Sequence, residues 1–250
     1  MIQVEGIFSG GGSDISAPII GKDFNWTGSD GTYQVLEDGD GNWRIKFLSS
    51  GTFTPLRDMV IDAFLVGAGG GGYKSVFDGN GGGGGYTKTV KSTILTANTA
   101  YSIVIGAGGS AYSNKDNPGT SGGDTSAFSE TVAGGAPATN NNGGAGGSGG
   151  GSYNSNSAVG YAGGSDGSNG GGTNGGTGQG TTTREFGEAD GDLYAGGGGG
   201  HYSGSLGVGG AGGGGNAKES GAANTGGGAG SGGEGGSGIV IIRKHKEVAA

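Results

Sequence analysis

Of the chain's 250 residues 72 are glycine and only 30% are hydrophobic, so a conventional core is available to part of the molecule at most. A net charge of −8 argues against a surface that tracks phosphates, and no nucleic-acid partner is expected. With no cysteine and 2 histidines, neither a disulfide framework nor a thiolate or imidazole-rich metal site is expected, and no cofactor is implied.

Met1-Ile2-Gln3-Val4-Glu5-Gly6 has neither the basic nor the apolar region of a secretory signal. No apolar run approaches the roughly 18 residues of a membrane span, so no membrane insertion is expected. Residues 1–57 read as a β-rich module. Ala17-Pro18-Ile19-Ile20 is a short apolar segment, while Thr32 to Leu36 and Trp43 to Leu48 alternate with period 2 and are predicted strands. Glu37-Asp38-Gly39-Asp40-Gly41-Asn42 between them predicts a hairpin loop. Asp38, Asp40 and Asn42 also match the first half of a calcium loop, but its downstream Glu is missing, which leaves a plain turn beside calcium as readings.

Asp58 to Val66 is a strand whose apolar residues fall on both faces near its end, the pattern of a central strand. It runs directly into Gly67-Ala68-Gly69-Gly70-Gly71-Gly72, and Gly81 to Gly85 leads back into the strand Tyr86 to Lys91. Tyr101 to Ile105 then feeds Gly106-Ala107-Gly108-Gly109, and Gly122-Gly123 precedes Thr125-Ser126-Ala127-Phe128. Strands alternate with glycine excursions. The predicted topology is a small antiparallel β-sandwich whose strands are extended by glycine segments that go out and return, with essentially no α-helix because no capped 3.6-residue periodicity is present.

From Gly134 to Gly238 the non-glycine residue often returns every third position, as in Ser231-Gly232-Gly233-Glu234-Gly235-Gly236-Ser237-Gly238. A period of three belongs to neither helix nor strand. It matches a left-handed extended helix with three residues per turn, and the expected arrangement is a bundle of roughly ten polyglycine II helices. A flexible linker is the alternative for such composition. Order is favoured by the aromatic and charged punctuation and by the closing apolar strand Ile239-Val240-Ile241-Ile242.

Chemistry-bearing motifs are scarce. The run after Val66 follows a strand, yet no Gly-Lys-Ser/Thr succeeds it, so a phosphate loop is not indicated. His201 and His245 have no nucleophile or metal partner recognisable in sequence, His245 lying in the basic stretch Arg243-Lys244-His245-Lys246, and no enzymatic activity is expected. Gly180 to Tyr194 stands out from the glycine background and reads either as a binding loop or as a cover in which Phe186, Leu193 and Tyr194 seal a flank and Arg184 pairs with a carboxylate.

The succession Ser50-Gly51-Thr52-Phe53-Thr54, Phe64-Leu65-Val66-Gly67-Ala68-Gly69-Gly70-Gly71-Gly72, Gly81 to Val90, Tyr101 to Gly109 and Gly236 to Arg243 resembles the glycine-rich domain of bacteriophage tail and tail-fibre proteins and their prophage relatives. It covers about residues 50–243; in build the chain is also similar to the distal adhesins of T-even-like phages, although their attachment sequence is not recognisable. The resemblance implies a virion tail protein, made in the host cytoplasm, that binds a host cell-surface receptor, either a glycan or an outer protein loop. It also implies attachment of residues 1–57 to a tail or tail-fibre protein, and a homotrimer is among the assemblies it suggests. A structural virion cap or decoration is the alternative from another class, and an ice-binding bundle a third.

The expected organisation is therefore an attachment module over residues 1–57, a glycine-rich domain over 58–243 and a basic tail over 244–250. If every glycine run reverses the last, the turns near 73–79, 111–118, 137–142, 181–194 and 216–224 lie at the end away from the strands, and those near 152–162 and 201–208 at the strand end. The predicted receptor-binding residues on that far end are Tyr73, Phe77, Tyr112, Asn114, Asn140, Asn141, Arg184 and Phe186.

Overall fold

A computed structural model describes residues 17–29, 31–74, 78–112, 119–153, 174 and 183–245. The first strands are β1 (Phe24–Trp26), β2 (Tyr33–Gly39), β3 (Asn42–Phe47), β4 (Gly51–Pro55) and β5 (Met59–Val66). The two-residue turn between β2 and β3 is Asp40-Gly41, both with positive φ (50° and 73°), the backbone demanded by a hairpin that keeps the strands' twist. In β3 strict alternation turns Trp43, Ile45 and Phe47 inward. Downstream come β6 (Tyr73–Lys74), β7 (Asp78–Asn80), β8 (Thr87–Leu95), β9 (Tyr101–Val104), β10 (Thr125–Ala127), β11 (Glu130–Val132), β12 (His201–Tyr202), β13 (Ser205–Leu206) and β14 (Ile239–Lys244).

Two five-stranded sheets, ordered β1-β4-β9-β10-β11 and β2-β3-β14-β5-β8, share one core. The chain is mainly β and contains no α-helix among the described residues, as the sequence predicts. As expected of a central strand, β5 lies between β14 and β8. Ile61, Ala63 and Leu65 of β5 and Val240 and Ile242 of β14 face the shared core with Phe24, Phe47, Phe53 and Ile103. The alternate residues Phe64, Val66, Ile239 and Ile241 form a second core on the sheet's other face, sealed by Phe186, Tyr194 and Ala195. The boundary expected at residue 57 does not divide two cores, because β3 pairs with β14 and β4 with β9. β14 pairs with strands that lie far earlier in the sequence because it has two apolar faces that only a central position can bury.

The glycine segments leave from the ends of these strands. Consecutive N–H groups donate in rotation to three neighbours: Gly67 and Gly70 to Tyr86 and Gly83, Ala68 and Gly71 to Gly123 and Thr120, Gly69 and Gly72 to Gly236 and Gly233. The return segment repeats the pattern, with Gly81 and Gly84 donating to Gly151 and Ser148, Gly82 and Gly85 to Ala229 and Gly226, and Gly83 and Tyr86 to Ala136 and Ala133. Donor numbers rise as acceptor numbers fall, so each neighbour is antiparallel. Side chains are excluded by proximity: a Cβ on Gly70 would lie 2.1 Å from the Ala136 carbonyl oxygen, and one on Gly82 2.1 Å from that of Gly70.

This arrangement makes the cost of a side chain position-specific. Gly235 donates to the Gly109 carbonyl at 2.8 Å, and its Cβ would fall 1.9 Å from the Gly69 oxygen. Gly235→Val is expected to separate these segments and cost on the order of 3 kcal/mol or more, several net hydrogen bonds at once. Its neighbour Glu234 is exposed, so Glu234→Ala should stay within about 0.5 kcal/mol. Equal falls in Tm for the two variants would contradict lateral backbone bonding as the source of stability.

Candidate functional site: the end of the glycine segments away from the sheets

Hydrogen-bond levels locate each turn along the segments. Gly85 bonds near Val66 and Gly81 lies at the opposite end, next to Gly151 and Gly144. At that far end β6 and β7 form one hairpin and β12 and β13 another, and they join into a four-stranded sheet ordered β13-β12-β7-β6. Its register places His201 opposite Gly79 and Tyr202 opposite Asp78.

Asn80 ties the surrounding turns together. Its fully buried side chain donates to the Thr139 carbonyl at 2.7 Å and accepts the Tyr153 N–H at 2.7 Å. Tyr112 N–H donates to Gly72 O at 2.9 Å, which brings the Tyr112 ring to 4.5 Å from that of Tyr73. Tyr153 stacks on Tyr202 with centroids 6.3 Å apart and planes 29° from parallel. In the turn 139–142 the Thr139 hydroxyl accepts the Asn142 N–H at 3.1 Å, so Asn140 and Asn141 are exposed on a braced backbone. Lys74 lies against Gly232, and Gly79 against Ser231.

Tyr73, Tyr112, Asn140 and Asn141 are thus gathered at one end, while Phe77 and Asn114 lie outside the described residues. Arg184 and Phe186 are not there. Phe186 is 3% exposed and packs on Phe64 at 6.1 Å, under the Arg243 guanidinium at 4.1 Å, and Arg184 Nη1 donates to the Gly191 carbonyl at 3.1 Å. The covering reading describes Phe186 and Tyr194, because the outer face of β5 and β14 leaves Phe64 and Ile241 to be sealed, whereas Arg184 bonds a backbone carbonyl where a carboxylate was expected, and residues 180–182 lie outside the described ones. Tyr153, His201 and Tyr202, expected at the strand end, are at the far end instead. The count failed where the chain reverses within glycine: near Gly147 and Ser148, which both bond Gly84 while Gly144 and Gly151 both bond Gly81, and again at Gly212, Gly213 and Gly232, whose φ of 97°, 92° and 79° leave no side-chain signal in sequence. These turns bring residues 216–219 to the far end, and Asn224, bonded to Ser237, back to the sheets.

At the sheet end the outer face of β3, β5 and β14 continues from the second core into an ionic layer. Glu185, nearly buried, accepts from Arg44 Nη1 at 2.6 Å and from the Tyr194 hydroxyl at 3.2 Å. Burial, with the charges of Glu185 and Asp192 adding to it, raises the Tyr194 phenol, keeping it a neutral donor. The Asp38 carboxylate, one of the calcium-loop candidates, is engaged by Arg44 Nε and Nη2, both at 2.9 Å. Arg243 bonds Asp62 at 3.1 Å and Glu188 at 2.7 Å. Asp62, 1% exposed, also accepts from His245 Nδ1 at 2.6 Å and from the Ser92 N–H at 3.1 Å. His245 therefore has partners far away in sequence, where the basic stretch around it had suggested a solvated tail.

Two outcomes follow from these contacts. Asn80→Ala leaves the Thr139 carbonyl and the Tyr153 N–H without their partner, so a loss of about 1–3 kcal/mol is expected, with faster amide exchange at residues 139–142 and 153 while β5 and β14 stay protected. For Asp62, burial pushes the carboxylate up, but the hydrogen bonds from His245, Ser92 and Arg243 outweigh it and hold it below its ordinary range. A depressed folded value stabilises above the unfolded value of about 3.9 and the contribution disappears as pH falls through the folded one. Asp62→Asn, which strands Arg243 beside one partner, should cost about 3 kcal/mol at neutral pH, and urea unfolding should show that gap closing as pH falls below the ordinary carboxylate range.

Among the described residues no helix is long and apolar enough to cross a membrane. No curated protein matches the chain. Strands β4 to β14 and the glycine segments fall within residues 48–245, which match the family described as the glycine-rich domain, and the chain belongs to that family.

Proposed function

We propose that the protein is a bacteriophage tail-tip component that binds the bacterial host surface through the turns at the end of its glycine segments. The glycine segments are read as polyglycine II helices and the paired sheets as a β-sandwich that frames them; the rotation of successive N–H groups among three neighbours supports the first reading, and the shared core supports the second.

One observation carries the function. Tyr73, Tyr112, Tyr153 and Tyr202 come from four separate parts of the sequence and meet at one end, on turns held by backbone bonds and by Asn80. Tyrosines offer large contact area with little side-chain entropy to lose, and bracing the turns removes most of the ordering cost of binding. With Asn140, Asn141 and Lys74 beside them, they suit a surface glycan or the outer loop of a surface protein. Residues 17–57 build strands at the opposite end. That polarity suits attachment there to a tail or fibre protein, in a virion, with the tyrosine end facing outward.

Fluorescently labelled protein is expected to bind cells of the bacterium that hosts the phage or prophage. Replacing Tyr73, Tyr112 and Tyr202 together by Ala should weaken binding at least tenfold, about 1.4 kcal/mol, without lowering Tm appreciably. Adsorption unchanged in that variant would favour a structural cap.

A further inference from the structure

Opposite the tyrosine end, the β5–β8 pair contains a bulge: Ile61 opposes Thr93 and Ala63 opposes Val90, so Asp62 faces the extra residues Lys91 and Ser92. Ser92 adopts φ 57°, uncommon for a non-glycine residue. The buried Asp62 carboxylate takes its N–H, which accounts for the backbone. It does not account for the hydroxyl. Ser92 Oγ is exposed and lies 3.0 Å from His245 Nε2, while His245 Nδ1 is 2.6 Å from Asp62 Oδ1. An acid held by three donors keeps the proton on Nδ1 and leaves the Nε2 lone pair for the serine. Three residues separated by 30 and 153 positions thus stand as a nucleophile, a base and the group that orients the base.

The hydroxyl opens onto a groove of about 520 Å³ walled by Trp43, Met59, Val60 and Ile94, with Arg57 and Lys244 at its edge. Ile94 is 73% exposed, so the apolar wall is open to a ligand. We infer that Ser92 is an activated nucleophile, with His245 as its base and Asp62 as the positioning residue, acting on carboxylic esters with a small apolar acyl group. Ser92 Oγ forms the bond to the acyl carbon as its proton passes to Nε2. The bond to the leaving alcohol then breaks, Nε2 returns the proton to that oxygen, and water releases the acid by the same steps. Oγ is also 3.5 Å from Nδ1, which places it beside the ring edge. In-line transfer therefore requires rotation about the Ser92 Cα–Cβ bond, which an exposed side chain permits.

The inference is independent of the host-binding reading. The full chain is treated with a fluorophosphonate and with phenylmethanesulfonyl fluoride, adducts are mapped by mass spectrometry, and p-nitrophenyl butyrate hydrolysis is followed across pH. A Ser92 adduct is expected, together with hydrolysis that Ser92→Ala abolishes and His245→Gln lowers at least a hundredfold. Asp62→Asn should also lower the rate and displace the pH profile, which a merely structural role would not do in variants shown by circular dichroism to be folded. Ser129, exposed at φ 64°, serves as the comparison, and Ser129→Ala should match the wild type. A folded wild-type protein that gives no Ser92 adduct with either reagent, or hydrolysis unchanged in Ser92→Ala, overturns the inference.

Discussion

Lateral hydrogen bonding between backbones that carry no side chains is the constraint on which the rest of this structure depends. Each N–H and C=O must find a partner when buried, and a glycine segment in which successive groups point in three directions finds them on three neighbours. The interaction works only at close approach. A Cβ on most of these glycines would meet a neighbouring carbonyl oxygen at about 2 Å, well inside contact distance. The abundance of glycine is thus a packing requirement, even though each glycine loses more backbone entropy on ordering than any other residue.

Such segments have almost no apolar surface to bury, so their positions must be fixed from elsewhere. The two strands β5 and β14 do this. Both have two apolar faces, and their pairing at Ile239 and Val66 starts an outgoing segment beside an incoming one at a defined height. The shared core holds one face, and the 183–195 cover holds the other. The ionic layer of Arg44, Glu185, Arg243 and Asp62 continues that cover where the apolar residues end. Buried charges of this kind are costly unless paired, so they specify how the cover docks more than they stabilise it.

The same constraint shapes the far end. Each segment must turn there, and the turns contain the residues that the lattice excludes: tyrosines, asparagines, a lysine and a histidine. Because the segments are antiparallel and close together, turns remote in sequence become neighbours, and β7 can pair with β12 across 120 residues of chain. A rigid support with variable turns separates stability from recognition, since the turns contribute little to the cores.

Several parts of this architecture were legible in sequence because they depend on local chemistry. Glu37 to Asn42 predicted a hairpin loop, which the structure tightens to Asp40-Gly41, the double-faced apolar pattern of 58–66 predicted a central strand, and the period of three in glycine runs predicted an extended, laterally bonded backbone. The gathering of Tyr73 and Tyr112 followed from counting reversals. That counting stopped working after residue 142, because the chain also reverses inside glycine runs, near 147–148 and at 212–213 and 232, where nothing distinguishes the turning glycines from their neighbours. Only the tertiary structure placed Tyr153, His201 and Tyr202 with the other tyrosines and removed Arg184 and Phe186 to the sheets. Only it brought Asp62, Ser92 and His245 together, since a buried carboxylate is shared by whichever donors the sheet register delivers, and register between strands 180 residues apart is set by the burial of both faces of β14 rather than by any neighbouring residue.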